Sequence, residues 1–388
     1  MVFLAQTDTF GTIIWFFIFF VFIIIYPRMM LSQLIWKIEQ STRKLEKMSY
    51  DSNVMTARRI TKRPEKELKQ KIDDFTDFFV IEPSNLDPYG IVKKVDQVIR
   101  QAEDRFTEFV DEVAEGKNAK EKQEINYALR ADIGLKQIAK IVRHNLELAK
   151  KFKNLQIAMI IQMQLPLIEK IAESEFKGAE AFANGWPIGD GIGPMVAASL
   201  MDKSRKIAED MVMGKTMIEG RRCFVLKATG PEPHLGRVDE AIEAVMRKHN
   251  ISRVVTIDAA GKLEGEKSGS VAEGIGFAMG GFSQREMIEN SLLPKKKPID
   301  SVIIKVGMTE ALAPMRKEIM DATPRAIELV KRGVRRAKRG QSVLIIGIGN
   351  SCGIGDNKKS LEQARHTIIK IDKKVKAEEK QQKKGSWV

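Results

Sequence analysis

Two aspartates stand where an apolar run meets a glycine-rich or small-residue turn. Asp190 lies in Pro187-Ile188-Gly189-Asp190-Gly191-Ile192-Gly193-Pro194, and Asp258 in Val254-Val255-Thr256-Ile257-Asp258-Ala259-Ala260. Two carboxylates held close enough to share a proton titrate apart, so one can act as a base while the other stays an acid at the same pH. Each alone has a plainer use, Asp190 as a helix cap and Asp258 as a ligand for a loop amide. What they can do together depends on the elements that carry them. Ile251 to Ile257 is a short β-branched run without helical period, which predicts a buried parallel strand ended by Asp258. The glycines around Asp190 permit a tight backbone, and Pro194 suits the first turn of a helix bearing Val196, Ala197, Leu200 and Met201. Acids at the carboxyl ends of strands and ahead of helices are placed where open α/β sheets do their chemistry.

The surrounding sequence supplies such a sheet. Apolar strands and amphipathic helices alternate through Cys223 to Leu226, Val238 to Lys248, Ile251 to Ile257, Val302 to Val306, Pro324 to Lys338 and Val343 to Ile348. That order predicts βαβ units and a three-layer α/β domain over 185–357 with a mostly parallel sheet. Its last strand opens into Gly347-Ile348-Gly349-Asn350-Ser351-Cys352-Gly353-Ile354-Gly355-Asp356. A dinucleotide fingerprint would need a second βαβ half and an acidic ribose reader, neither of which follows.

From Gly185 to about Leu312 the chain resembles the germination protease and hydrogenase-maturation protease superfamily. The likeness rests on Asp190-Gly191-Ile192-Gly193-Pro194, on Phe224-Val225-Leu226 with Ala228-Thr229-Gly230-Pro231 and Gly236, and on Ile257-Asp258-Ala259. Gly274-Ile275-Gly276, Gly280-Gly281 and Arg285-Glu286 extend it, and Val302-Ile303-Ile304-Lys305-Val306-Gly307 supplies the next strand. The resemblance implies that Asp190 and Asp258 are the two acidic site residues, acting as a carboxylate pair or holding a divalent metal. No histidine follows Asp258 until His366, so the histidine of that superfamily's metal site has no counterpart. Its hydrogenase-maturation members begin with a strand ending in Gly-Ile-Gly-Asn, which here is Gly347-Ile348-Gly349-Asn350 near the C-terminus. Circular permutation accounts for the displacement and predicts that Asn350 approaches Asp190 as a third polar group of the site. The full length is also similar to the archaeal domain-of-unknown-function 1512 family of membrane proteins, a likeness that implies no particular activity.

Ahead of the sheet region, Phe10 to Tyr26 carries no charge and Arg28, Lys37, Arg43, Lys44 and Lys47 follow it. About 17 residues span roughly 25 Å as a helix, which predicts a single membrane anchor over 1–27. With no Lys or Arg before Arg28, the run lacks the basic start of a cleaved signal. The basic flank predicts an N-terminus outside the cell membrane and a cytoplasmic remainder. Leu31, Leu34, Ile35, Ile38, Leu45 and Met48 form a stripe for partner helices, a second copy included, or for the membrane surface. Residues 28–82 read as that helix and a charged segment, Arg58 to Asp74 with Pro64 inside it, that is a linker or a solvated helix, with Phe75 to Val80 and the turn residues Pro83 to Gly90 after it. The region 83–184 predicts one helix over Tyr89 to Ala114, a polar break at Gly116 to Lys122, and a second helix from Ile125 to about Leu165. Its stretch Ile157 to Ile161 reads as buried core, because Gln156, Gln162 and Gln164 are costly in lipid.

The net charge of +14 implies polyanion partners. For an anchored chain the nearest polyanion is the membrane, and the tail 358–388 carries ten Lys or Arg against four Asp or Glu. No aromatic interleaving or zinc spacing accompanies the charge, which argues against nucleic acid. Two cysteines, Cys223 and Cys352, form no framework and fit a reducing compartment. The combined expectation is a membrane-anchored, cytoplasm-facing hydrolase acting on protein or peptide through Asp190, Asp258 and Asn350, with a non-catalytic membrane scaffold as the alternative.

Overall fold

The computed structural model describes residues 9–78, 91–276, 288–289 and 291–385. The chain forms two compact units, one of Met1–Asp51 with Gly134–Glu173 and one of Ser52–Ile133 with Ser174–Val388. The expected turn residues Pro83 to Gly90 and the glycine-rich Gly280, Gly281, Arg285 and Glu286 lie outside the described residues.

In the first unit the helix α1 (Thr9–Ile60) runs unbroken through Pro27, joining the apolar run to the helical stripe that follows it. A proline deletes one backbone bond, and long helix-forming runs on both sides outweigh that loss. Every described side chain from Ile13 to Met29 is exposed, and burial begins only at Met30. The other two helices are α4 (Ala119–Phe152) and α5 (Leu155–Asn184). The single tract expected from Ile125 is in fact divided, because Lys153 turns to φ 47°. The Asn154 side chain then accepts a bond from the Ile157 N–H at 3.2 Å and restarts the helix. The expected core stretch of α5 is also corrected. Ala158 and Ile161 are buried, whereas Met159, Ile160 and Met163 are exposed, the last by 75%.

The second unit begins with a helical cluster. α2 (Lys66–Phe75) and α3 (Ile91–Val113) pack with the start of α4 around Ile72, Phe106, Val110, Ile125 and Leu129. Phe75 stacks on Phe109 with centroids 3.9 Å apart. The linker is therefore short, a break over 61–65 around Pro64.

The α/β part follows. A one-turn 3-10 helix at Gly189–Gly191 leads into α6 (Ile192–Ala198), seven residues that are all buried. This helix is shorter than expected and apolar all round, as one enclosed on every side must be. The strands are β1 (Ser204–Ala208), β2 (Met211–Ile218), β3 (Arg221–Ala228), β4 (Ile251–Gly261), β5 (Val271–Ile275), β6 (Ile299–Val306) and β7 (Ser342–Gly347). Their order in one sheet is β1-β2-β3-β7-β4-β6-β5. The four central strands are parallel, and β1, β2 and β5 add antiparallel edges, so the sheet is mixed rather than mostly parallel. Glycine in β2 and β5, with the short exposed run of β1 and β5, hid these edges from a reading that sought continuous apolar strands.

Strand alternation covers both faces. Val225, Val255, Val343 and Ile345 join α6 and α10 (Thr323–Arg335), while Leu226, Val254, Leu344 and Ile346 join α7 (Val238–Lys248). The crossovers leaving β3 and β6 therefore lie on opposite faces, the first ending at β4 and the second at β7. Between β6 and α10 come the short helices α8 (Met308–Leu312) and α9 (Lys317–Met320). The basic tail contributes α11 (Leu361–Gly385), whose Leu361, Ala364 and Ile368 enter the core. Arg316 forms an ion pair with Asp372 at 2.9 Å and a hydrogen bond to Glu379 at 2.6 Å, holding that helix.

Candidate functional site

The two aspartates and the Gly347 to Asp356 loop meet at the carboxyl ends of the central strands. Strand β4 pairs with β7 only as far as Ile257 opposite Gly347, then continues along β6 to Gly261. Asp258 is thus the first residue of β4 beyond the end of β7. It sits within the strand rather than at its last residue, as the sequence suggests. The Ile348 N–H still bonds the Ile257 carbonyl at 2.8 Å, after which β7 turns into its glycine loop.

Asp190 reaches this point from the other side. The Gly189 N–H bonds the Ala313 carbonyl and the Met315 N–H bonds the Pro187 carbonyl, so the segment is laced to the loop after α8. No side chain caps α6. The carboxylate instead accepts the Asn350 N–H at Oδ2, 2.8 Å away and 160 residues further along the chain. Two glycine-rich segments make that approach possible. A Cβ on Gly349, whose φ is +125°, would overlap the Asp190 backbone, and one on Gly193 would overlap the carbonyls of Ile257 and Ile348.

The Asn350 side chain has a different part from the one expected. Its Oδ1 accepts the Cys352 N–H at 2.9 Å, so the residue serves Asp190 through its backbone while its side chain shapes its own loop.

Asp258 is 6% exposed and Asp190 is half-buried. Burial pushes the Asp258 carboxyl well above the usual carboxylate range, the nearby Asp190 charge pushes it further, and the Ala259 N–H opposes them. Burial raises Asp190 as well, opposed by the Asn350 N–H. The repulsion between two like charges is what makes one of a pair hold its proton. Among the described residues no group of three or more His, Cys, Asp or Glu is placed to hold a metal ion. A divalent cation here would have Asp190 and Asp258 as its acidic ligands, one short of the three protein ligands of an ordinary catalytic zinc.

Several polar residues near these strand ends are not legible as site elements in the sequence. Lys227, at the end of β3, is fully buried and bonds Asp356 at 2.6 Å, and the same carboxylate accepts the Gly230 N–H at 2.9 Å. Its signal was a lysine inside an apolar run. Ser351 accepts the His234 N–H at 3.2 Å, and its single hydroxyl proton has the carbonyls of Thr229 and Glu232 within reach, tying the β7 loop to the β3 loop. Beyond β4, Lys262 bonds Ser268 at 2.7 Å and Ser268 bonds Glu310 of α8 at 2.7 Å. Cys223 and Cys352 are buried free thiols, both pushed up by burial.

Family models match the N-terminal domain of the protein of unknown function DUF1512 at residues 12–185 and its C-terminal domain at 188–355. The chain belongs to the DUF1512 family. The boundary between the two DUF1512 domains falls at Trp186-Pro187, immediately before the Asp190 turn, so both aspartates and Asn350 lie in the C-terminal domain. No curated protein and no solved structure matches the chain.

Proposed function

We propose that the protein is a membrane-anchored hydrolase that cleaves peptide bonds with Asp190 and Asp258. The observation that carries this reading is the pairing itself: the Asp190 charge raises the Asp258 carboxyl, while the Asn350 N–H favours the Asp190 anion. The roles follow. Asp190, the more exposed of the two carboxyls, takes a proton from a water whose oxygen attacks the scissile carbonyl carbon. Asp258 gives its proton to the carbonyl oxygen, forming a neutral tetrahedral diol. Asp190 then passes its proton to the amide nitrogen as the C–N bond breaks, and Asp258 regains a proton from the collapsing hydroxyl. The resemblance to the germination protease and hydrogenase-maturation protease superfamily supports the substrate class. The approach of Asn350 to Asp190 supports the permuted order that the resemblance requires.

The exposed apolar run from Ile13 to Tyr26 of α1, roughly 21 Å long, supports the anchor, since α1 is long and apolar enough to cross a membrane. The basic residues after it favour a cytoplasmic site.

The test is cleavage of a mixed-sequence peptide library by full-length protein in liposomes, read by mass spectrometry. Cleavage that disappears in both Asp190→Asn and Asp258→Asn supports the reading. Absence of cleavage by folded wild-type protein, or cleavage that survives both substitutions, leaves the scaffold reading, in which the glycine loops serve packing alone.

A further inference from the structure

The helical unit carries an apolar surface that its own packing does not use. On α5, Met159, Ile160 and Met163 are exposed by 47%, 53% and 75%, and Phe152 at the end of α4 by 61%. They flank the Lys153-Asn154 turn, and Lys151 and Lys153 beside them are also exposed.

Ion pairs fix the level of this turn along α1. Arg143 bonds Glu46 at 2.7 Å and Lys150 meets Glu39 at 3.3 Å, so α4 runs antiparallel to α1 and its end lies level with Trp36 and Lys37. Lys44 bonds Glu169 at 2.9 Å and Glu173 at 2.8 Å, which places the start of α5 still closer to Arg28. The hairpin therefore ends where the bare run of α1 ends, since Met30 is the first partly buried residue. Trp36, at the same level, is 60% exposed. Tryptophan and lysine mark the headgroup layer of a bilayer, where an apolar body and a cationic tip are both satisfied.

We infer that the α4–α5 hairpin tip is a second membrane contact, with Phe152, Met159, Ile160 and Met163 in the interfacial layer and Lys151 and Lys153 against anionic headgroups. The occupant is lipid because the apolar tip lies within about two helical turns of the end of α1's bare run and is bordered by cations. This inference rests on the anchor reading of α1. Its consequence is a fixed stance, because two contacts restrain the tilt that a single helix leaves free.

Single cysteines carrying an environment-sensitive fluorophore at Phe17→Cys, Phe152→Cys, Met163→Cys and Ile141→Cys test it in full-length protein reconstituted into liposomes with and without phosphatidylserine. Labelling can be confined to them, since Cys223 and Cys352 are buried. Phe17 should be quenched by a spin label deep in the acyl chains, and positions 152 and 163 by a shallow one. Position 141, exposed on α4 but farther from the tip, should be quenched by neither. Lys151→Glu with Lys153→Glu should reduce shallow quenching in phosphatidylserine liposomes and change it little in neutral ones. Quenching at Phe17 with none at 152 and 163 overturns the tip contact and keeps the anchor. A blue shift at 152 and 163 without lipid quenching means that a second copy covers the face, which also overturns it. No quenching at Phe17 removes the anchor reading and the tip contact with it.

Discussion

The candidate site is made by residues that act through backbone as much as through side chains. Asn350 offers its N–H, and Gly193 and Gly349 offer the absence of a side chain. Gly193→Ala should cost ~1–3 kcal/mol or more, because the added carbon meets two strand carbonyls that have no room to shift. Urea unfolding measures it, and an unchanged midpoint would contradict the packing described. Lys227 and Asp356 make a sharper comparison. Asp356→Ala leaves a fully buried ammonium without its carboxylate and should destabilise by about 3–5 kcal/mol, whereas Lys227→Met removes the buried charge and should cost less. Burial lowers the Lys227 pKa, so the loss in Asp356→Ala should shrink as pH rises and the lysine discharges. Equal losses in the two variants at neutral pH would show that the pair is not what holds the loop.

At the scale of elements, the helical cluster holds an acid pair apart from the site. Asp132 is fully buried, accepts bonds from Ser52 and from Thr56 at 2.6 Å, and is pushed up to about 7 by burial. Glu175 is likewise raised to about 7, by burial and then by Asp132. An unfolded aspartate ionises near 4, so between about pH 4 and pH 7 the unfolded chain releases its proton while the folded one keeps it, and stability falls across that window. Asp132→Asn keeps an acceptor for one hydroxyl, offers an N–H to the other, and removes this decline. Relative to wild type it should gain stability on the order of 4 kcal/mol by pH 8 and nothing near pH 4, measured by urea midpoints at both. A gain independent of pH would contradict the assignment. The same region shows what the sequence could and could not disclose. The periodicity of α3 and the β-branched runs of β4 and β7 were legible because their burial is one-sided or complete. The Lys153 break was not, since a lysine at positive φ has no composition signal, and neither was the outward face of α5, where Met159, Ile160 and Met163 are exposed beside buried Ala158 and Ile161. The Asp190 to Asn350 contact was legible only through the motif resemblance, because no local pattern links residues so far apart.

For the whole molecule, the two DUF1512 domains divide the work that the proposed reading needs: the first supplies the apolar helix α1 and the second the aspartates. Removal of residues 1–29 should release the protein from liposomes while leaving the Asp190 to Asn350 contact intact, because that contact is made inside the second unit. Flotation with and without the segment checks it, and retention on membranes after the deletion would assign binding to the tip and tail instead. The central claim is that Asp190 and Asp258 behave as one titrating pair. The most direct measurement is the carboxyl-carbon NMR titration of Asp258 in 13C-aspartate-labelled wild type and in Asp190→Asn, in which the asparagine oxygen can still accept the Asn350 N–H. The account predicts that Asp258 titrates well above the usual carboxylate range in wild type and moves down when the Asp190 charge is removed, remaining raised only by burial. An Asp258 titration that is ordinary in wild type, or unmoved by Asp190→Asn, would contradict it.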